Sequence, residues 1–324
     1  ADGCDNCPGI FNPSQANSDC SGGNGGCSDG GDACDVCPGD PNNLCTPTGT
    51  LKFDPPTIVS NTIVASDTGQ DRNPSIAHDA GGTWIAVWSS TDSLGGAIDY
   101  DRDILVARSF DAGLTWSLPQ ALTSAAESDD AEDYAPEITY DGGGTWLAVW
   151  ESSRANGPSS YDADVLVSRS TDSGSSWSSP VSIGTYAASY TDYGKPNVIA
   201  DAAGDCLALW SAQTGASVND RLIMASRSDD AGLTWGVPFV FSGSGIDLYD
   251  RSPSVVTNGA GSWVAVWLST EFHGFSNDQI MVSKSDDAGL NWSHPTPLYT
   301  AGFSETNLQP HIATGRTGTR LVAW

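Results

Sequence analysis

The feature that most constrains this chain is a repeat with a period of about 60 residues, the length of one four-stranded supersecondary unit. Five segments share a proline-centred start: Asn73-Pro74-Ser75-Ile76, Ala135-Pro136-Glu137-Ile138, Lys195-Pro196-Asn197-Val198, Ser252-Pro253-Ser254-Val255 and Gln309-Pro310-His311-Ile312. The spacing between successive prolines varies, yet each is followed at one constant offset by a tryptophan: Trp88 after Pro74, Trp150 after Pro136, Trp210 after Pro196, Trp267 after Pro253 and Trp324 after Pro310. A fixed offset across variable spacing means a rigid unit. The unit is a strand from the proline, a glycine-rich turn such as Gly81-Gly82-Thr83, then a strand such as Trp84-Ile85-Ala86-Val87-Trp88. A third strand follows in each complete repeat, as in Asp103–Ala107, Asp164–Ser168, Arg221–Ala225 and Gln279–Ser283. A shorter fourth follows the next turn, as in Gln120–Leu122. Four strands per period of this length predict an all-β propeller blade, because one such unit cannot bury its apolar faces alone and must stack on the next.

Composition agrees with strands and turns: 36 glycines and 12 tryptophans stand against 2 methionines, and 39% hydrophobic residues suffice for a core. The net charge of -27, with 13 basic against 40 acidic residues, excludes nucleic acid and an anionic membrane as expected partners, since both require basic patches. No run is long and apolar enough to be read as a membrane-spanning helix. The first residue is Ala1, so a mature form or a fragment is expected.

The turn between the third and fourth strands reads Ser109-Phe-Asp111-Ala-Gly113-Leu-Thr115-Trp116. It recurs around Asp172, Asp230 and Asp287 as Ser170–Trp177, Ser228–Trp235 and Ser285–Trp292. These four segments resemble the Asp box, Ser-x-Asp-x-Gly-x-Thr-Trp, of sialidases and related BNR-repeat proteins. The resemblance implies a sialidase-like propeller of six blades, of which residues 51–324 would supply four and part of a fifth. The residues themselves predict a turn-locking role for the boxes: the aspartate accepts backbone N–H groups, the glycine supplies positive φ and the tryptophan packs under the hairpin.

Alternating strand direction puts these turns on the same side as the turns between strands one and two. Any binding surface is then expected on the opposite side, formed by the loops between strands two and three and the links between blades. Loop length varies there: the repeat tryptophan and the Asp-box aspartate stand further apart in the first two repeats (Trp88 to Asp111, Trp150 to Asp172) than in the next two (Trp210 to Asp230, Trp267 to Asp287). The candidate ligand-binding residues on that side are Asp99, Tyr100, Arg102, Tyr134, Arg154, Tyr161, Tyr193, Tyr249 and Arg251. Tyrosine with aspartate and arginine suits a sugar, offering rings to stack on and partners for hydroxyls; it suits calcium as well.

Sialidases resembling this repeat grip a carboxylate with three arginines and use a tyrosine nucleophile, with an aspartate as acid. Arg72-Asn73-Pro74 occupies the place of their Arg-Ile-Pro motif, with Asn73 in place of isoleucine, and Arg251-Ser252-Pro253 repeats it. Arg72 and Asp92 are therefore the catalytic candidates, with Asp99 the other position for the acid. The third arginine and the tyrosine of the family lie in later blades than this sequence contains. The expectation is a glycan- or protein-recognition propeller without catalysis; the alternative is an exo-α-sialidase-type hydrolase completed by residues beyond Trp324.

Residues 1–50 have no Lys or Arg, seven Asp and seven of the eight cysteines, and cannot form an apolar core. Cys4-Asp5-Asn6-Cys7-Pro8 and Gly31-Asp32-Ala33-Cys34-Asp35-Val36-Cys37-Pro38 resemble thrombospondin type 3 repeats. That resemblance implies a disulfide-stapled, calcium-binding segment of a secreted or cell-surface protein, with Asp2, Asp5, Asn6, Asp29, Asp32 and Asp35 as ligands. Zinc held by the two Cys-x-x-Cys pairs is the competing reading. Cys206, inside a predicted strand, is expected to be a buried free thiol.

Overall fold

The structure is a computed structural model that describes residues 69–98, 101–124, 131–153, 162–187, 195–213, 221–243, 248–271, 277–300, 309–315 and 318–324. All belong to the second of the two units into which the chain divides, Ile58–Trp324. The first antiparallel sheet runs β1 (Arg72–His78), β2 (Trp84–Ser90), β3 (Asp103–Ser109), β4 (Gln120–Ala121), in chain order. The second repeats that order with β5 (Asp133–Tyr140), β6 (Trp146–Ser152), β7 (Asp162–Ser170) and β8 (Val181–Ala187). The third comprises β9 (Asn197–Ala200), β10 (Cys206–Gln213), β11 (Arg221–Ser228) and β12 (Phe239–Val240). The fourth comprises β13 (Leu248–Thr257), β14 (Trp263–Glu271), β15 (Asn277–Ser285) and β16 (Thr296–Thr300). A parallel bridge between Arg221 and Tyr249 joins the third and fourth sheets, and a final hairpin pairs β17 (His311–Thr314) with β18 (Arg320–Ala323). First strands of consecutive sheets pack on one another, β1 on β5, β5 on β9, β9 on β13 and β13 on β17. This is the predicted sialidase-like β-propeller, with the first strand of each blade innermost.

The register explains the tryptophan repeat. Trp88 lies opposite Leu105, Trp150 opposite Leu166, Trp210 opposite Met224 and Trp267 opposite Met281, the same place in every blade. Second strands are buried on both faces, so they read as unbroken apolar runs rather than alternating ones. Alternate side chains nevertheless go to different neighbours. Ile85 and Val87 of blade 1 pack with Ile138 and Trp150 of blade 2. Leu147 and Val149 of blade 2 pack with Val198 and Trp210 of blade 3, and Leu207 and Leu209 of blade 3 with Val255 and Trp267 of blade 4. Trp150, Trp210 and Trp267 therefore each seal their blade onto the one before it. The core is a series of slabs between blades, and the small residues Ala86, Ala148, Ala208 and Ala265 let the sheets approach.

Proline has a second effect. The residue before the blade-opening proline has positive φ in the first four blades: Asn73 at 51°, Ala135 at 47°, Lys195 at 23° and Ser252 at 53°. Three of these coincide with register shifts, between Arg72 and Ser75, Tyr134 and Glu137, and Arg251 and Ser254. A proline cannot donate to a ladder, so the strand bulges there and re-aims the residues just before it.

Candidate functional site

Every Asp box is closed on itself. In the first, the Ser109 hydroxyl donates to Asp111 Oδ1 (2.7 Å), the Thr115 N–H to the same oxygen (2.8 Å) and the Thr115 hydroxyl to Oδ2 (2.6 Å). Asp172, Asp230 and Asp287 make the same three contacts, with Ser176 replacing the threonine in the second box and Asn291 in the last. The Thr115 hydroxyl and N–H, with Ser109, hold the Asp111 carboxyl down at about 2, and Ser176 does the same for Asp172. Asp230 is lowered too, its hydrogen bonds from Thr234 and Ser228 outweighing burial, and Asn291 leads the lowering of Asp287. The box backbone bonds the turn between the first two strands of its own blade: Ala112 N–H to Gly82 O, Ala231 to Gly204 and Ala288 to Gly261. Both turns share one side, as the topology requires, and these aspartates have their acceptors filled by the turn.

The opposite side carries the starts of the first and third strands. Arg102, just before β3, is buried; its Nη1 donates to the Gln70 carbonyl (3.0 Å) and its guanidinium lies 5.6 Å from the centre of the Tyr134 ring. The Tyr134 hydroxyl donates to Glu132 (3.0 Å), and the Asp133 N–H to the Arg102 carbonyl (2.7 Å), tying blade 2 to blade 1. Blades 3 and 4 are joined by the same device. Arg221, also buried, stands 5.3 Å from the Tyr249 ring centre, and Arg251 stands 5.0 Å from it. Asp278 completes this group, 3.9 Å from Arg251 and accepting the Thr270 hydroxyl at 2.6 Å. A guanidinium over a tyrosine ring is attracted by the ring's negative face, and the stack keeps both flat groups in place.

Of the candidates, Tyr134, Tyr249, Arg102 and Arg251 thus gather into two arginine–tyrosine groups. Asp99, Tyr100, Arg154, Tyr161 and Tyr193 lie outside the described residues, as do the six head residues Asp2, Asp5, Asn6, Asp29, Asp32 and Asp35. Arg72 is exposed on β1, with Nη2 donating to the Gln70 side chain (2.8 Å). Asp92 uses Oδ1 to accept the Leu94 N–H (2.9 Å) and steadies the loop after β2. Arg221 and Asp278 are additions to the candidates. Arg221 carries a sequence signal: it precedes its Asp-box aspartate, Asp230, by the same interval that separates Arg102 from Asp111. Glu137 is a third addition, on innermost strand β5, where burial, opposed by the Ser75 hydroxyl, pushes its carboxyl up to about 7. Cys206 is buried in β10, and burial pushes its thiol up to about 12, with the nearby Asp141, Asp201, Asp205 and Asp230 carboxylates adding to the shift. Among the described residues, no group of three or more His, Cys, Asp or Glu is arranged to hold a metal ion.

Residues 82–310 match the BNR repeat-like domain family. The chain belongs to this family. Solved structures similar to this BNR repeat-like chain include a protein of unknown function from Dyadobacter fermentans (18% identity, TM-score 0.57, covering 78% of this chain and 74% of that one). Another is the alpha-L-arabinanase of Penicillium chrysogenum complexed with arabinobiose (16%, TM-score 0.58, 78% and 74%). A third is the GH93 alpha-L-arabinofuranosidase of Fusarium graminearum, also with arabinobiose (16%, TM-score 0.54, 78% and 74%). At such identities the likeness shows the shared fold. No curated protein matches the sequence.

Proposed function

We propose that this protein is a carbohydrate-recognition propeller that binds a neutral glycan on the side opposite its Asp boxes, without hydrolysing it. The observation that carries this reading is the repeated arginine–tyrosine group, Arg102 on Tyr134 and Arg221 with Arg251 on Tyr249. Tyr134 and Tyr249 stay partly exposed and offer apolar ring surface beside polar rims, the mixture a sugar ring needs. Two neighbours of the same fold were solved with arabinobiose, which makes that disaccharide the first probe. The overall negative charge favours a neutral ligand over an anionic one. Residues 1–50 would add a calcium-dependent spacer outside the cell.

The test is calorimetric titration of the whole chain with arabinobiose and a panel of neutral oligosaccharides, alongside 3′-sialyllactose. Binding lost in Tyr249→Ala and Tyr134→Ala, with folding intact by circular dichroism, is the expected result. Preference for the sialoside, or release of the fluorophore from a fluorogenic sialoside or arabinofuranoside abolished by Arg72→Ala or Asp92→Asn, would instead establish the hydrolase. Calcium titration of the same chain tests the spacer: heat that persists in excess chelator removes it.

A further inference from the structure

The turn between the first and second strands makes the same corner in each of the first four blades. Its backbone closes with one bond: Asp79 N–H to Thr83 O, Asp141 to Thr145, Asp201 to Asp205 and Asn258 to Ser262. Its first side chain turns back to accept the N–H groups of the turn. Asp141 Oδ1 accepts those of Gly143 (2.6 Å) and Thr145 (2.8 Å). Asp201 Oδ1 accepts those of Ala203 (3.0 Å) and Asp205 (3.2 Å), and Asp79 Oδ1 that of Thr83 (2.8 Å). Blade 4 makes the same pair of bonds with an amide: Asn258 Oδ1 accepts the Ala260 (2.9 Å) and Ser262 (3.0 Å) N–H groups. Three corners thus use a carboxylate and the fourth, between β13 and β14, uses its amide, followed directly by Gly259. Asn258 and Gly259 are exposed, and a Cβ on Gly259 would meet nothing within 4 Å. Among the described residues no other asparagine precedes a glycine: Asn73 precedes proline, Asn197 valine, Asn277 aspartate and Asn291 tryptophan.

We propose that Asn258 is a self-modification site, deamidating to aspartate, the residue that the other three corners already use. The nucleophile is the Gly259 backbone nitrogen, adjacent in the chain and not crowded by a side chain at its own position. A bond forms between Gly259 N and Asn258 Cγ, closing a succinimide ring. The Cγ–Nδ2 bond breaks, and Nδ2 leaves as ammonia with the proton that Gly259 N gives up. Solvent water then opens the ring. Attack at Cγ restores the main chain and leaves aspartate; attack at the main-chain carbonyl leaves isoaspartate, with the chain routed through Cγ. The Ala260 and Ser262 N–H groups point at Oδ1, the oxygen on which negative charge gathers when Cγ is attacked, first by nitrogen and then by water. They favour the aspartate product, whose carboxylate accepts them as Asp141 and Asp201 do in their corners.

Incubation of the whole chain in neutral buffer, sampled over time, tests this. The readouts are anion exchange and tandem mass spectrometry of the tryptic peptide 252–284, which contains Asn277 as an internal reference. The expected result is a species retained longer by one added negative charge, with the mass gain at position 258 and not at 277. The ratio of aspartate to isoaspartate at 258, read by electron-transfer fragmentation, should be higher in the native chain than in the chain held unfolded in guanidinium chloride, where the corner and its two donors are lost. Asn258→Asp should abolish the charge shift and unfold at a denaturant midpoint no lower than that of the wild type. No mass gain at 258 in the native chain, equal gain at 258 and 277, the same product ratio in native and unfolded chains, or a lowered midpoint for Asn258→Asp each overturns the proposal.

Discussion

The Asp-box glycines do more than turn the chain, and Gly232→Ala separates their two duties. Gly232 has φ of +78°. A Cβ built on it would lie 2.5 Å from Leu147 Cδ2 of the preceding blade and 3.2 Å from Cδ1. Leu147 is fully buried in the slab between blades 2 and 3 and has nowhere to turn. Two costs therefore add. Forcing an L residue into the left-handed region costs about 1–2 kcal/mol. Overpacking a filled core costs about 1–3 kcal/mol more. The expected destabilisation is about 2–5 kcal/mol, the sum of those two ranges. Gly82 is the control: its φ is +90°, but a Cβ there meets nothing within 4 Å, so Gly82→Ala should cost only the backbone part.

The assay is equilibrium urea unfolding of the four proteins of a double-mutant cycle in Leu147→Ala and Gly232→Ala. Leu147→Ala alone should cost about 2–5 kcal/mol for the space it leaves. In that background Gly232→Ala should shrink to the Gly82→Ala value, because its Cβ enters the vacated space. A cost for Gly232→Ala that equals Gly82→Ala in the wild type, or that is unchanged by Leu147→Ala, would refute the inter-blade contact as the second cost.

Three further outcomes follow from the same contacts. Arg169 Nε donates to the Ala231 carbonyl of the next blade (2.9 Å), so Arg169→Met, which keeps the stem, should cost about 1.5–3 kcal/mol in urea unfolding. Cys206 should resist alkylation in the native protein at pH 8 and react once unfolded, as followed by mass spectrometry of the peptide that contains it; native labelling would contradict its burial. Because Asp111 and Asp172 are depressed to about 2, the stabilisation they supply is complete above 3.8 and lost as pH falls through about 2. Carbon-detected NMR titration of these carboxyls should show the low midpoints, and ordinary aspartate midpoints would contradict the closed boxes.

The fold is legible because the repeat is written in residues whose physics is local. Proline starts a strand, glycine makes its turn, and the Asp-box serine, aspartate and threonine satisfy one another within a single turn, as Ser109, Asp111 and Thr115 do. The sidedness of the blades follows from strand alternation alone, so the Asp-box side and the candidate side can be told apart. The stacking of Arg221 on Tyr249 is less legible, since it joins residues of different blades whose separation varies with loop length. The positive φ at Asn73, Ala135, Lys195 and Ser252 is not legible at all. Four dissimilar residues share it, none a glycine, because the bulge comes from the proline that follows and from the ladder, not from the residue's own preference. Glu137 is hidden for a similar reason. In sequence it is one polar residue after a proline, and only the packing of innermost strands brings Asn197 of the next blade within 3.4 Å of it.

The two sides of the propeller differ in what they can do for a ligand. On the Asp-box side each carboxylate already accepts its donors from the same turn, and in blades 1, 3 and 4 the box is tied to the neighbouring turn by a backbone bond. Such a side is repetitive and self-satisfied, so a ligand there would have to break bonds already made. On the other side the equivalent position at the start of the third strand is Arg102, Ala163, Arg221 and Asp278 in successive blades. A structural device needed by every joint would repeat in every blade, as the Asp boxes do. The arginine instead appears in blades 1 and 3, always with a partly exposed tyrosine beside it, and is replaced by alanine or aspartate in blades 2 and 4. Departure from the repeat at one fixed position of a rigid frame makes the surface asymmetric, and asymmetry is what recognition of a single ligand orientation requires.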